Sequence, residues 1–193
     1  MSPVATMTAD AAAAAILAAA DRLFYERGIA GVAISEVRDG AGVSLRRLYS
    51  LYPTKRELVA AWLTDRHGRW MTWFADAVDH SIAQGNDPVP AAFDALAEWF
   101  RSPGYRGCAF INAMAETAEI DESHRALVRD HKRSLTVYLG ALTARTHSHI
   151  PPWWPDAVAA LIDGAIVQSA ILRSETPITA ARTAASQILE SLS

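Results

Sequence analysis

Apolar positions recur three and four residues apart along most of this chain, and no stretch shows the period-two alternation of a half-buried strand. The first such pattern begins at Asp10, an alanine-rich run with Ile16, Ala20, Leu23, Phe24 and Arg27 on one face, and stops at Gly28. A second covers about Ile34–Gly40 and a third about Ser44–Ser50, with Leu45 and Leu48 expected to pack inward. Longer patterns follow at Glu57–His80, Pro90–Arg101, Arg106–Glu116, Asp121–Arg145, Asp156–Arg173 and Pro177–Leu192. Breakers separate them: Gln84–Pro88, Ser102–Gly104 and the cluster Pro151–Pro155. Met1–Thr8 has no periodicity and reads as a frayed arm. The expectation is an all-α chain of about nine helices without internal repeats.

The stretch Gly31–Leu58 carries the strongest local chemistry. Val32, Ile34, Val37 and Ala41 form an apolar face, Gly42 permits the positive φ of a tight turn, and Ser44 can cap the next helix. Two short helices joined in this way are a helix-turn-helix pattern, and its second helix leaves Ser44, Arg46, Arg47, Tyr49 and Ser50 for a nucleic-acid surface. Thr54 with Glu57 three residues on is a capping box, so the following helix starts with unpaired N–H groups beside Lys55, a geometry suited to a phosphate.

Charge changes the picture only once it is divided along the chain. The formal net charge is −3, which looks wrong for a partner of DNA. Residues 1–60 hold 7 Lys+Arg against 6 Asp+Glu, or +1, and residues 61–193 hold 11 against 15, or −4. Within Ser44–Arg56 stand Arg46, Arg47, Lys55 and Arg56 and no acid, and only the surface that meets phosphate has to be positive. At 193 residues and 51% hydrophobic content the chain can bury a sizeable core. Uninterrupted apolar runs fall short of the roughly 18 residues of a spanning helix, and the start lacks the order of a signal peptide, so no membrane and a cytoplasmic location are expected. The single cysteine, Cys108, excludes an internal disulfide and a Cys-based zinc site.

The order Gly-x-x-x-x-Ile, Ala-Gly-Val-Ser, Leu-Tyr, Tyr-Pro-x-Lys-x-Glu-Leu over about residues 16–63 resembles the N-terminal domain of the TetR family of bacterial transcriptional regulators. The Gly-Cys at 107–108 before an apolar helix resembles the C-terminal domain of one TetR subgroup. The resemblance implies a helix-turn-helix domain over 1–53 and a ligand-binding and dimerisation domain over 54–193. It also implies a homodimer on a palindromic double-stranded DNA operator, with DNA contacts from Ser44, Leu45, Arg46, Arg47, Tyr49, Ser50 and Lys55, and Tyr52 closing the small domain. Two departures stand out: Ala33 replaces the Thr or Ser that usually caps the second helix, and Arg46 stands where Gly is common. Each changes what this chain reads on DNA.

An aromatic, apolar cavity for a small-molecule effector is implied in the second domain. Trp70, Trp73, Phe74, Trp99, Phe110, Met114 and Tyr138 could line it, with Gln168, Asn112 and Glu116 as polar groups that could orient the effector. For each aromatic residue, plain core packing is the competing role. Helices 156–173 and 177–192, poor in charge and bearing Ala159, Gly164, Ala165, Ala181 and Ala185, are expected to form the dimer interface. His147 and His149 lack a third metal ligand, and His124, Asp130 and His131 lack the setting of a nucleophile or a phosphate loop. Neither a metal, nor a cofactor, nor a catalytic site is expected. The reading is a ligand-responsive regulator, a repressor by the family's default, released by an apolar or aromatic effector. The alternative is a helical ligand-binding or partner-binding dimer without operator recognition, to which Ala33 points.

Overall fold

The computed structural model describes residues 7–116 and 121–192. Among them lie nine helices and no strand: α1 Ala9–Arg27, α2 Ile34–Ala41, α3 Leu45–Leu51, α4 Lys55–Ala83, α5 Pro88–Arg101, α6 Ala109–Ala115, α7 Glu122–Thr143, α8 Trp154–Leu172 and α9 Thr176–Ser191. The chain divides into two compact units, Met1–Arg66 with Asn112–Leu127, and His67–Ile111 with Val128–Ser193. The 29-residue α4 therefore contributes to both.

In the first unit, Ile16, Ala20, Phe24, Val37, Leu48, Leu58 and Trp62 are buried, so the i, i+4 face of α1 meets one face each of α2, α3 and the start of α4. Phe24 and Trp62 pack edge to face with centroids 5.4 Å apart. Asp21 holds the same seam together, accepting from Trp62 Nε1 at 2.7 Å and from Arg66 Nη1 at 2.6 Å. The Arg66 guanidinium lies 3.9 Å above the Tyr25 ring. With its side chain only 12% exposed, this pair is shielded from the screening that weakens surface ion pairs.

In the second unit, Phe74, Phe93, Leu96, Leu135, Leu139, Trp154, Val158 and Ile162 form the core between α4, α5, α7 and α8. Polar atoms inside it are mostly paired. Trp154 Nε1 donates to Thr143 Oγ1 at 3.0 Å, and that hydroxyl donates back to the Leu139 carbonyl at 2.8 Å. Lys132 reaches Asp163 at 2.6 Å from α7 to α8, and Arg101 binds Glu175 from α5 to the start of α9.

Two expectations change. Leu45 does not pack inward; it is 41% exposed, because Leu48 alone occupies the buried side of α3. Ala165, Ala181 and Ala185 are buried within the chain, whereas Gly164 is exposed. Separately, α8 is long and apolar enough to cross a membrane by length and composition alone, 19 residues at mean hydropathy 1.4, which does not by itself indicate a membrane. Asp156 and Asp163 interrupt its apolar runs and lower the mean, yet the other residues keep it high.

Candidate nucleic-acid interface

The geometry at α3 follows from its caps. Gly42 takes φ 65°, a left-handed conformation that ends α2, and its N–H and that of Val43 return to the Asp39 and Arg38 carbonyls. The chain then reverses into Ser44, whose Oγ accepts from Arg47 N at 3.1 Å while its carbonyl takes the first helical bond from Leu48 N. Burial of Leu48 fixes the roll of this seven-residue helix, and Ser44, Leu45, Arg46, Tyr49 and Ser50 are left exposed. Arg47 is half-buried and donates from Nη2 to the Met7 carbonyl at 3.3 Å. Arg46 has no hydrogen bond or ion pair among the described residues, and its fork is available to a base edge.

At the start of α4 both halves of the capping box are made: Thr54 Oγ1 accepts from Glu57 N, and Glu57 Oε2 accepts from Thr54 N, each at 3.1 Å. At α2 only one half exists. Ala33 has no hydroxyl to offer, while Glu36 Oε2 still accepts from Ala33 N at 2.9 Å. Arg27 compensates by binding Glu36 at 2.6 Å and the Gly31 carbonyl at 3.0 Å. The Arg27 hydrogen bond, then that from Ala33, holds the Glu36 carboxyl below its ordinary range.

Sequence reasoning missed two further groups of this unit. Glu116 Oε2 accepts from Ala30 N at 2.7 Å, and its carboxylate covers Gly28, where a Cβ would stand 2.9 Å from Oε1. His124, fully buried, donates from Nε2 to the Arg56 carbonyl at 3.0 Å in the first turn of α4. Beside it, Asp121 binds Arg56 at 2.7 Å. Hydrogen bonds from Ser123 and from His124 N hold the Asp121 carboxyl far below the usual carboxylate range, helped by the positive charge of Arg56. Nothing in the local sequence marks these contacts, because the partners are 86 and 68 residues away.

The residues expected at an effector site fall into two groups. In the second unit, Trp70 stacks on Phe74 with centroids 4.8 Å apart and planes 12° apart, and meets Trp99 edge to face at 5.6 Å. Trp73 stands 6.3 Å from both Trp70 and Trp99, and Tyr138 meets Phe74 at 5.7 Å. His131 joins them by stacking on Phe110 at 3.7 Å and by its edge contact with Trp70, and its Nδ1 lies 3.0 Å from that of His67. Burial raises the Tyr138 phenol above its ordinary value, with Asp79 adding to the shift. Met114 belongs to the first unit, and Gln168 is exposed on α8. Glu116 is engaged at Ala30 and Asn112 also lies in the first unit.

Residues 16–62 match the model of the bacterial regulatory proteins of the tetR family. Among curated proteins, an uncharacterised HTH-type transcriptional regulator in the lacX 3' region of Lactococcus lactis subsp. lactis is 25% identical over 137 residues, 66% of this chain and 68% of that protein. Among solved structures, SCO4454, a TetR-family transcriptional regulator from Streptomyces coelicolor, is similar with TM-score 0.80 and 25% identity, covering 95% of this chain and 91% of that one. The reduced form of E. coli NemR is similar in fold, with TM-score 0.79 and 21% identity over 92% of this chain and 97% of that one.

Proposed function

Because the chain belongs to the TetR family of bacterial regulatory proteins, we propose that it is a ligand-responsive repressor, not an enzyme, that binds a palindromic operator as a cytoplasmic homodimer. The observation that carries this reading is the exposed side of α3, where Ser44, Arg46, Tyr49 and Ser50 face outward beside the α4 start that bears Lys55. An exposed short helix with an unpaired Arg is the element that enters a major groove, and the neighbouring helix start supplies a phosphate site. DNA contact is assigned to residues 1–53 with Lys55, and effector binding and dimerisation to the rest of 54–193. Two copies would set their α3 helices about one DNA turn, ~34–36 Å, apart.

Released repression needs an effector that favours a spacing the operator does not fit, and coupling of about 1–3 kcal/mol is enough for a usable switch. The aromatic cluster of Trp70, Trp73, Phe74, Trp99, Phe110 and Tyr138 is the proposed effector wall. A second reading, a helical binding dimer without operator recognition, draws on the uncapped Ala33. Mobility shifts with fragments of the source genome separate the two. A regulator retains one fragment selectively and loses affinity steeply as salt rises from about 50 to 200 mM. Equal, weak retention of every fragment would leave only the second reading.

A further inference from the structure

We infer that the effector wall takes a neutral aromatic molecule carrying a carbonyl-type acceptor, held by the indole N–H of Trp70 and the phenol of Tyr138. This rests on the proposal that these rings bind an effector and adds the chemistry of the ligand. Trp70 Nε1 and Tyr138 Oη are buried, and neither has a hydrogen-bond partner among the described residues. Buried polar atoms are nearly always paired, so two orphans on rings that both contact Phe74 call for a common explanation. An indole can only donate and a phenol can donate, so the missing partner is an acceptor. Trp70 on α4 and Tyr138 on α7 contact the same Phe74, the first stacked at 4.8 Å and the second T-shaped at 5.7 Å, so both donors border one apolar, aromatic surface.

Charge narrows the class further. The wall itself holds no carboxylate, and Asp79, the acid that bears most on Tyr138, is already bound to Arg145 at 2.7 Å. His67 and His131 share a hydrogen bond with each other. An anionic ligand would give up its hydration and face the negative charge of Asp79 and Asp76, both of which act on Tyr138, and a cation offers no acceptor to the indole N–H, whereas a neutral carbonyl needs only the two donors.

Equilibrium dialysis of the full chain against 1-tetralone and against tetralin, the same bicyclic skeleton without the oxygen, tests this. The ketone should bind about fivefold more tightly, the size of one net neutral hydrogen bond. Tyr138→Phe keeps its ring and removes only the hydroxyl, and Trp70→Phe removes the N–H while leaving a smaller aromatic ring; together they should bring the ratio of ketone to tetralin affinity to about one, whatever the loss of packing does to both ligands alike. Equal affinities on the unaltered protein, no saturable binding of the ketone, or a preference that survives both substitutions would each overturn the inference. The two-ligand comparison decides even if the variant does not fold. Loss of the regulator reading shows separately, as absent operator retention beside an intact preference for the ketone.

Discussion

At the scale of single residues, Arg46 and Lys55 sit one helix apart and should fail differently. Arg46 is exposed and without a partner among the described residues, so its proposed role is to read a base edge, where a bidentate contact discriminates by about 1–3 kcal/mol. Arg46→Ala should relax preference at one operator position while leaving non-specific affinity nearly intact. Lys55 stands at the N-terminus of α4, where any phosphate is equivalent. Lys55→Ala should weaken all sequences about equally and reduce the slope of log affinity against log salt by about 1. Competition assays against operator variants at several salt concentrations would show this contrast, and parallel losses would defeat both assignments. Ala33 is the opposite case, a position where the chain lacks a favourable group. Ala33→Thr should supply the missing half of the α2 box and stabilise the fold by about 0.5–2 kcal/mol, read as a higher urea midpoint. No gain would mean that Arg27, bound to Glu36, already satisfies that helix end.

At the scale of elements, what was legible follows from how local the cause is. The start of α4 at Thr54 and Glu57, the turn at Gly42 and the burial of Ile16, Ala20 and Phe24 on α1 each depend on neighbours within a turn or two, and they stand where pattern and capping chemistry place them, whereas Arg27 at the end of that α1 face is exposed. The roll of α3 was harder to read, since Leu45 and Leu48 are equally apolar and only packing decides that Leu48 is buried. The membership of 112–127 in the first unit was not legible at all. It arises from Glu116 at Ala30 and His124 at Arg56, contacts between residues too far apart in sequence for any periodic pattern to report. Asp121 makes this join dependent on pH. Its folded pKa is depressed, so its contribution is complete above the ordinary carboxylate value near 3.8 and is lost as pH falls from there towards the folded value. Asp121→Asn should therefore lower the urea midpoint at pH 7, and the gap to the unaltered protein should shrink by pH 3. A gap of the same size at both values would show that the carboxylate charge is not its source.

At the scale of the whole molecule, the remaining question is what covers α8. Only 28% of its most apolar window is buried within the chain, and Ile171 and Leu172 near its end are 68% and 60% exposed. Exposed aliphatic groups at the end of so apolar a helix suit a surface of association, and a second copy supplies a self-complementary one through two-fold symmetry. The small residues expected to make that contact are largely spent inside the chain, so the proposed interface rests on exposed aliphatic groups and Gly164. The proposed dimerisation would also answer the charge problem, because pairing would place two basic α3 helices on one DNA while residues 61–193, at −4, need not touch phosphate. Ile171→Glu puts like charges on both copies of a symmetric contact. Sedimentation equilibrium at micromolar concentration should show the unaltered chain as a dimer and the variant as a monomer, with the fold intact by circular dichroism. Operator affinity should fall together with dimerisation, since a lone α3 keeps only half the contacts. A variant that stays dimeric, or an unaltered chain that is monomeric at those concentrations, would remove α8 from the interface and with it the spacing that the proposed switch depends on.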